Sequence, residues 1–274
     1  MNARGMVRRA GLTLGVCLLA VSAHAQATAT TQKPATQQPF EPKVGQAGKD
    51  VVWVPTSQAL VDKMLDMAKV TPQDIVYDLG SGDGRTVITA AKRGATATGI
   101  EYNPDMVELS KKNAAKEGVT AKATFMKADL FETDFSKATV ITMFLLPDIN
   151  VKLRPKILNL KPGTRIVSNS FTMEDWEDDA TETISGDCTS WCTAHMWIVP
   201  AKVDGTWTTP QGEMKLTQTY QKLSGTLGST KVEGKMNGDQ ITLTAGKTTY
   251  TGKVNGKSIQ GTASGGGAWT ATRG

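Results

Sequence analysis

A glycine-rich segment after a short apolar run is the part of the sequence best suited to chemistry. It reads Asp78-Leu79-Gly80-Ser81-Gly82-Asp83-Gly84, an acid followed by three alternating glycines. Glycine has no Cβ, so the backbone can pass close beneath a ligand, and the helix that follows offers free N–H groups at its start. The acid attracts a ligand with an ammonium group and repels a pyrophosphate. The segment therefore predicts a site for a nucleoside that carries a cationic amino-acid group.

The spacing of the glycines and two further acids support the same ligand. A dinucleotide loop has the pattern G-x-G-x-x-G. Here the third glycine comes one residue earlier, at Gly84, and Arg85 occupies the position where a dinucleotide loop has its third glycine. Glu101 ends the next predicted strand, where it can accept both ribose hydroxyls, and Asp129 ends the third strand, near an adenine edge. These features predict S-adenosylmethionine (SAM) as the cofactor and no metal. The predicted cofactor-binding residues are Asp78, Gly80, Ser81, Gly82, Asp83, Gly84, Glu101 and Asp129.

Strands and helices alternate over residues 51–203, which is typical of a doubly wound, mostly parallel sheet with helices on both faces. Apolar residues at helical spacing predict a first helix over 56–69. The run 75–79 is a buried strand, and Asn103-Pro104 combines an N-cap with a proline at the first helical position. We therefore predict an α/β, Rossmann-like domain over 51–203 that holds the glycine segment.

The last 70 or so residues have a different pattern. Residues 204–274 are rich in Thr, Gly and Lys, and the segments 232–245 and 250–263 match at an offset of 18. Each repeat contains Asn-Gly, a strong hairpin signal. These residues predict a small all-β domain, an antiparallel meander or barrel. Trp207 and Arg273 resemble the corresponding residues of lipocalin-like barrels.

The N-terminal residues have the features of an export signal. Residues 1–25 contain three arginines, an 11-residue apolar run and the small-x-small sequence Ala23-His24-Ala25, which predicts a signal peptide. The following stretch, 26–50, is rich in Thr, Gln, Ala and Pro and predicts a flexible linker. We expect an exported, periplasmic protein, or a cytoplasmic one if the signal is not used. Cleavage would remove three of the 31 basic residues and none of the 26 acidic ones, so the mature charge is nearly balanced.

Two cysteines remain after the predicted cleavage. Cys188 and Cys192 are separated by three residues. A zinc site would need two more ligands, and nearby only His195 offers one. In an exported protein a local disulfide is the better prediction, and two free thiols are the alternative.

Residues 51–201 resemble one group of enzymes, the seven-strand protein-lysine methyltransferases related to the mitochondrial enzymes that modify the ATP synthase c subunit and the adenine nucleotide translocase. The Leu-Pro strand end and the Arg-Ile-Val-Ser stretch are more specific than the glycine motif. The resemblance rests on Val54-Pro55-Thr56, the segment 78–85, Phe144-Leu145-Leu146-Pro147, and Gly163-Thr164-Arg165-Ile166-Val167-Ser168 with Phe171 and Trp176.

This resemblance implies a seven-strand sheet, SAM as methyl donor and a protein lysine as acceptor. It implies that the acceptor end of the site lies near Thr56, Leu146-Pro147, Phe171 and Trp176. Phe171 and Trp176 could form an aromatic wall for the ammonium stem or could simply be core or rim residues. The amine must lose its proton before transfer, but no dedicated base is required. His195 could be a base, or a structural residue.

Two alternatives to a protein-lysine methyltransferase remain open at this stage. One is a small-molecule methyltransferase with the same fold, because fold does not determine substrate. The other is an exported binding protein that has lost catalysis. Neither a Lys/Arg block for nucleic acid nor a membrane-embedding segment in the mature chain is predicted. The oligomeric state is left open.

Overall fold

The structure is a computed structural model that describes residues 40–274. The predicted signal peptide (1–25) and residues 26–39 of the predicted linker lie outside the described residues. Two structural parts follow each other along the described chain. They are an α/β part, which ends near residue 203, and an all-β part, which begins at Gly205.

The α/β part contains one sheet of seven strands. The strands are β1 (Ile75–Leu79), β2 (Thr96–Glu101), β3 (Ala123–Lys127), β4 (Val140–Met143), β5 (Arg165–Asn169), β6 (Ala180–Thr183) and β7 (Thr193–Ile198). Their order across the sheet is β3-β2-β1-β4-β5-β7-β6. The first five strands are parallel, whereas β7 is antiparallel to both β5 and β6. The predicted Rossmann-like, seven-strand fold is confirmed.

Helices cover both faces of this sheet. The helices are α1 (Gln58–Met67), α2 (Arg85–Lys92), α3 (Pro104–Lys116) and α4 (Pro147–Ile157). The apolar sides of α1, α2 and α3 share one buried cluster with Val140, while α4 shares a second cluster with Ile141. Because neighbouring strand residues point to opposite faces, these two residues of β4 each contribute to a different core.

The starts of two helices follow from local chemistry. Asn103 accepts a hydrogen bond from the Asp105 N–H at 2.9 Å, and Pro104 begins α3, as the sequence predicts. Ser57 caps α1 by accepting a bond from the Leu60 N–H. The helix predicted over 56–69 is shorter at both ends, because Ser57 is the N-cap and Ala68 the C-cap, and the Thr56 hydroxyl accepts instead from the Asn169 amide at 3.1 Å.

The all-β part is a closed barrel. Its eight strands are β8 (Gly205–Thr209), β9 (Gly212–Thr219), β10 (Lys222–Leu227), β11 (Thr230–Asn237), β12 (Gln240–Ala245), β13 (Thr248–Asn255), β14 (Ser258–Ala263) and β15 (Ala268–Thr272). Gly238 and Gly256 occupy hairpin turns with φ of 59° and 58°, a left-handed conformation that favours glycine. Buried apolar side chains, including Trp207 and Trp269, form the barrel core. The Arg273 guanidinium lies 4.6 Å from the Trp207 ring centre.

The barrel contacts the α/β part through the segment that follows β5. Tyr220 stacks on Trp176 with ring centres 5.8 Å apart, and its hydroxyl donates to the Asp175 carboxylate at 2.9 Å. The Gln221 amide donates to the Glu177 carbonyl at 2.8 Å. These contacts link the barrel to the same loop that carries Phe171.

Residues 45–55 form a short segment that folds back on itself, here called the N-terminal strap. The Gly45 N–H donates to the Trp53 carbonyl at 2.8 Å, and the Trp53 N–H donates to the Gln46 carbonyl at 2.9 Å. Residues 40–50 therefore differ from the predicted flexible linker. Their composition predicted no packing. The strap is ordered instead by backbone pairing within itself and by contacts with the sheet edge, such as the Lys49–Asp129 ion pair.

Candidate functional site

The glycine loop after β1 is attached to the neighbouring elements by its backbone. The Gly80 and Ser81 N–H groups both donate to the Ile100 carbonyl, at 2.9 and 3.0 Å. The Ser110 hydroxyl of α3 donates to the Gly82 carbonyl at 2.8 Å. A Cβ on Gly82 would lie 2.6 Å from Trp53 Nε1. The loop is thus held between β2, α3 and the strap, and a side chain at Gly82 would collide with the strap.

Glu101 stands at the end of β2 and reaches the glycine loop. One carboxylate oxygen accepts from the Gly82 N–H and the other accepts from the Asn103 N–H, each at 2.9 Å. A carboxylate has about four acceptor sites, so Glu101 can still accept two hydroxyl groups. The backbone bonds orient it toward the cavity beside the loop.

Asp78, at the end of β1, is a buried acid. Its carboxylate accepts from the Thr142 hydroxyl at 2.7 Å. Burial, together with the nearby charges of Asp83 and Glu101, raises the pKa of Asp78 to about 7, although the Thr142 bond opposes this rise. Such a carboxyl gains most from a cationic ligand group, because a positive neighbour would stabilise its charged form.

Asp129 follows β3 and has a partner on the strap. The Lys49 ammonium lies 2.5 Å from the Asp129 carboxylate and 5.0 Å from the centre of the Tyr102 ring. The Lys49 bond holds the pKa of Asp129 below its usual value. The strap therefore lines the site, and its Lys49 is paired with Asp129, the carboxylate that the sequence assigns to the adenine edge.

A single cavity of about 550 Å³ joins these residues. Of the predicted cofactor residues, all except Gly84 line it. One end, the cofactor end, is polar and is lined by Asp78, Gly80, Ser81, Gly82, Asp83, Glu101 and Asp129. The other end, the acceptor end, is apolar and is lined by Val54, Pro55, Thr56, Phe144, Leu145, Leu146, Ile149, Phe171 and Trp191.

Two residues of the glycine segment have roles that differ from direct cofactor contact. Gly84 lies outside the cavity, with φ of 84° at the start of α2, and a Cβ there would lie 2.7 Å from the Phe125 ring. Its assignment as a cofactor residue is corrected to helix–sheet packing. Asp83 lines the cavity but also forms a two-pronged ion pair with Arg85, whose Nη2 is 2.6 Å from a carboxylate oxygen.

Three aromatic rings are packed together at the acceptor end. Phe171 lies 5.9 Å from Phe144 and 5.2 Å from Trp191, centre to centre, and Phe144 lies 5.9 Å from Trp191. We call these three residues the aromatic wall. Sequence reasoning found Phe171 but missed Trp191, which is 46% exposed. Its one available signal was its place between Cys188 and Cys192, which the structure joins in a disulfide.

The structure removes three other candidates from the acceptor end. Trp176 is fully buried and stacks on Tyr220 in the core beneath the barrel, so it forms no wall for a substrate. Of the predicted pair Leu146-Pro147, Leu146 lines the cavity, whereas Pro147 begins α4 outside it. His195 lies outside the cavity on β7, with Nδ1 2.7 Å from the Asp178 carboxylate, which supports the structural alternative. Thr56 lines the cavity as predicted.

Comparisons with known proteins agree with this geometry. The model of the ANTKMT methyltransferase domain matches residues 78–180. A protein-lysine N-methyltransferase of Saccharolobus islandicus is 49% identical over 129 residues, which is 46% of this chain and 80% of that protein. The human lysine N-methyltransferase of the ATP synthase c subunit is 34% identical over 128 residues, which is 46% of this chain and 54% of that protein.

A solved structure is also similar to this chain. It is an RNA methyltransferase from Salinibacter ruber in complex with S-adenosyl-L-homocysteine (SAH), with 46% identity and a TM-score of 0.51. The match covers 55% of this chain and 96% of that chain.

The sheet order, the glycine loop and the acids at the strand ends define a class I SAM-dependent methyltransferase domain. Within that class, the match to the Saccharolobus enzyme over most of its length places the chain in the protein-lysine N-methyltransferase family. The barrel lies outside the matched region 78–180. None of the helices formed by residues 40–274 combines the length and the apolar character needed to cross a bilayer.

Proposed function

We propose that this protein transfers a methyl group from SAM to the side-chain amine of a lysine in a protein. One observation carries the proposal: a single cavity joins an acidic, glycine-lined end to an apolar end with an aromatic wall. The first end has the chemistry of a cationic aminoacyl nucleoside. The second has the chemistry of a long alkyl chain.

At the cofactor end the acids divide the recognition of SAM among them. Glu101 accepts the ribose hydroxyls with the acceptor sites that its backbone bonds leave free. Asp78 is the carboxylate for the α-ammonium group. The adenine amino group replaces the Lys49 ammonium as the donor to Asp129. These residues would hold SAM, which would supply the electrophilic methyl group.

At the acceptor end the residues position the amine and exclude water. The sulfonium methyl is electrophilic already, so the protein must align a neutral amine with the S–CH3 bond. Apolar surroundings disfavour the charged form of an amine and lower its pKa. Phe144, Leu145 and Ile149 therefore favour loss of the lysine proton without a dedicated base.

An RNA acceptor is the second candidate, because the similar Salinibacter structure is described as an RNA methyltransferase. The charges in the cavity argue against it for this chain. The lysine and arginine side chains that line the cavity are Lys49 and Arg85. Arg85 is bonded to Asp83, and Lys49 is bonded to Asp129 until the adenine amino group displaces it, so the lining formed by residues 40–274 offers at most one free cation. A phosphate backbone would need free cations at the opening.

Radiolabelled SAM distinguishes these acceptors. The purified protein is incubated with labelled SAM and either a cell-envelope extract or total RNA from the same cells. We expect label in a protein band and methyl-lysine in its peptides. Glu101→Ala, which should not hold SAM, is the matched control. Label found only in RNA, or only in extractable small molecules, would contradict lysine transfer.

We also propose that the protein acts after export. The signal-like residues 1–25 and the disulfide between Cys188 and Cys192 support this, because disulfides persist in oxidising compartments. Cell fractionation with N-terminal sequencing tests it. We expect a chain that begins at Gln26 in the periplasmic fraction. A full-length chain confined to the cytoplasm would disprove export.

A further inference from the structure

The loop 188–192 is closed by a disulfide and ends at the acceptor end of the cavity. We propose that this loop is the acceptor-recognition element, in which Trp191 receives the alkyl stem and cationic head of the substrate and the disulfide positions Trp191. The proposal rests on the proposed function, because it concerns the acceptor of the same site. It adds a specificity-determining residue, Trp191, and a positioning device, the Cys188–Cys192 bond.

The sheet topology brings the aromatic wall together. Phe144 follows β4, Phe171 follows β5, and Trp191 precedes β7. Because β7 runs antiparallel to β5, the start of one lies beside the end of the other. The Ser170 N–H donates to the Thr193 carbonyl at 2.7 Å and joins the residue after β5 to the first residue of β7. Trp191 therefore lies beside Phe171 although 20 positions separate them along the chain.

Trp191 has an exposure and a backbone conformation that are unfavourable for a tryptophan. It is the most exposed tryptophan among residues 40–274, at 46%, whereas Trp176 and Trp197 are fully buried. Its φ is 59°, a left-handed conformation that is uncommon for a bulky residue. Exposing a large ring in such a conformation costs free energy. A ligand that covers the ring would recover part of that cost.

The ring surroundings suit an alkylammonium chain. The three ring centres lie within 5.9 Å of one another, so the rings touch and leave no space for a cation between them. They present a continuous wall on one side of the cavity instead. Such a wall packs against methylene groups, and the Trp191 face attracts the ammonium head of the incoming lysine before that amine loses its proton. The other lining residues at this end, such as Leu146 and Val54, carry no charge.

The disulfide accounts for how a short surface loop can hold this position. Cys188 and Cys192 close a five-residue ring whose Cα atoms are 5.8 Å apart. The Ile184 N–H donates to the Cys192 carbonyl at 3.0 Å, which attaches one end of the ring to the sheet. The other residues of the ring, Thr189 and Ser190, are exposed. The covalent bond thus constrains where Trp191 points, in addition to the packing of its ring against Phe144 and Phe171.

Choline and its neutral isostere 3,3-dimethyl-1-butanol probe the wall directly. The full chain, labelled with 15N-tryptophan and saturated with SAH, is titrated with each compound while the indole resonances are followed by NMR. Trp191→Phe assigns the Trp191 resonance. We expect choline to shift this resonance and to bind about threefold or more tightly than the neutral compound. No shift with choline, or equal binding of both compounds, would overturn the role of Trp191.

Variants connect the wall to transfer. In the envelope labelling assay we expect Trp191→Ala to lower the rate of protein labelling at least tenfold and Trp191→Phe to retain about a third or more. SAH affinity, measured by calorimetry, should change less than twofold in both. Ser190→Ala, in the same ring, is the matched control and should equal wild type. Equal labelling rates in wild type and Trp191→Ala would refute the proposal while leaving lysine transfer intact.

The positioning role has its own test. Cys188→Ser/Cys192→Ser should weaken the choline response of Trp191 at least fivefold with unchanged SAH affinity. Dithiothreitol provides a second route: it breaks the S–S bond, leaves a protonated thiol on each cysteine and is itself oxidised to a cyclic disulfide. The treated wild type should match the double variant. Retention of the full choline response in both would disprove the role of the disulfide. If the wild-type protein transfers no label to lysine but binds choline as expected, the proposed function is refuted, whereas the role of Trp191 in binding a cation is supported.

Discussion

The two ends of the cavity are built in different ways. At the cofactor end, one chain segment, 78–84, supplies the loop, and the neighbouring strand ends supply Glu101 and Asp129. At the acceptor end, three rings come from positions 144, 171 and 191, each next to a different strand. Backbone bonds hold the first end, with Gly80 and Ser81 tied to β2. Side-chain packing and one disulfide hold the second. The cofactor end is thus formed by a local sequence motif, and the acceptor end is formed by residues from distant parts of the chain.

This difference separates cofactor binding from acceptor choice. A local loop held by backbone hydrogen bonds tolerates few side-chain changes at its glycines, because a Cβ at Gly80, Gly82 or Gly84 enters occupied space. A wall of side chains can change with single substitutions while the sheet stays the same. Changes at one end should therefore leave the other end nearly unaffected. The following predictions test that independence.

Glu101→Ala should have the largest effect on the cofactor end. It removes the acceptor of the Gly82 and Asn103 N–H groups and of the ribose hydroxyls. Hydrogen bonds to a charged group contribute about 1.5–3 kcal/mol each, so we expect SAH affinity to fall about 100-fold. Calorimetry measures it. Glu108→Ala, an exposed glutamate on α3, should bind SAH as wild type does. A loss below threefold for Glu101→Ala would disprove its role.

Gly84→Ala should destabilise the fold without weakening cofactor binding. The left-handed φ and the contact with the Phe125 ring together should cost about 2–4 kcal/mol of unfolding free energy. Urea unfolding measures the change. Gly118→Ala has a similar positive φ but open space around it, so it isolates the backbone cost and should lose less. A large drop in SAH affinity of folded Gly84→Ala would return Gly84 to the cofactor site.

The affinity for SAH should fall as the pH is lowered below 7. The Asp78 carboxyl has a pKa of about 7 without ligand, and the ligand ammonium favours its charged form. Binding at lower pH must therefore release a proton, so affinity should drop about fivefold from pH 7 to pH 6. Calorimetry at both pH values shows the slope. Asp78→Asn should bind more weakly at pH 7 and show no such slope; an unchanged slope in this variant would assign it to another group.

Lys49→Met should have the smallest effect. It frees the Asp129 carboxylate from its strap partner, so the adenine amino group meets no competitor. Because exposed ion pairs are weak, we expect SAH to bind roughly twofold more tightly. Lys43→Met, an exposed lysine in the same part of the chain, should have no effect. Weaker binding in Lys49→Met would mean that Lys49 helps to hold the cofactor.

Much of the fold was predictable because its signals are local. The buried run 75–79 was predicted with the limits that the structure has for β1, and Asn103-Pro104 does begin α3. The Asn-Gly turns and an 18-residue repeat predicted a meander or barrel. They did not predict that eight strands close the barrel, because hairpin signals are local. The strap was missed because polar composition alone argues against order. Its order comes from pairing with itself and from contact with the sheet edge.

The sequence by itself determined the nucleoside site, because an acid, the alternating glycines and the next strand-end acids follow a fixed order along the chain. Parallel strands must bring such residues to one edge of the sheet. Only the tertiary structure decided the acceptor end. It placed Trp176 in the core and Trp191 in the cavity, although both are tryptophans near β6. The reason is that the residues of the aromatic wall are far apart along the chain and follow no regular spacing. Which residues belong to the wall depends on which strand ends meet in the folded sheet.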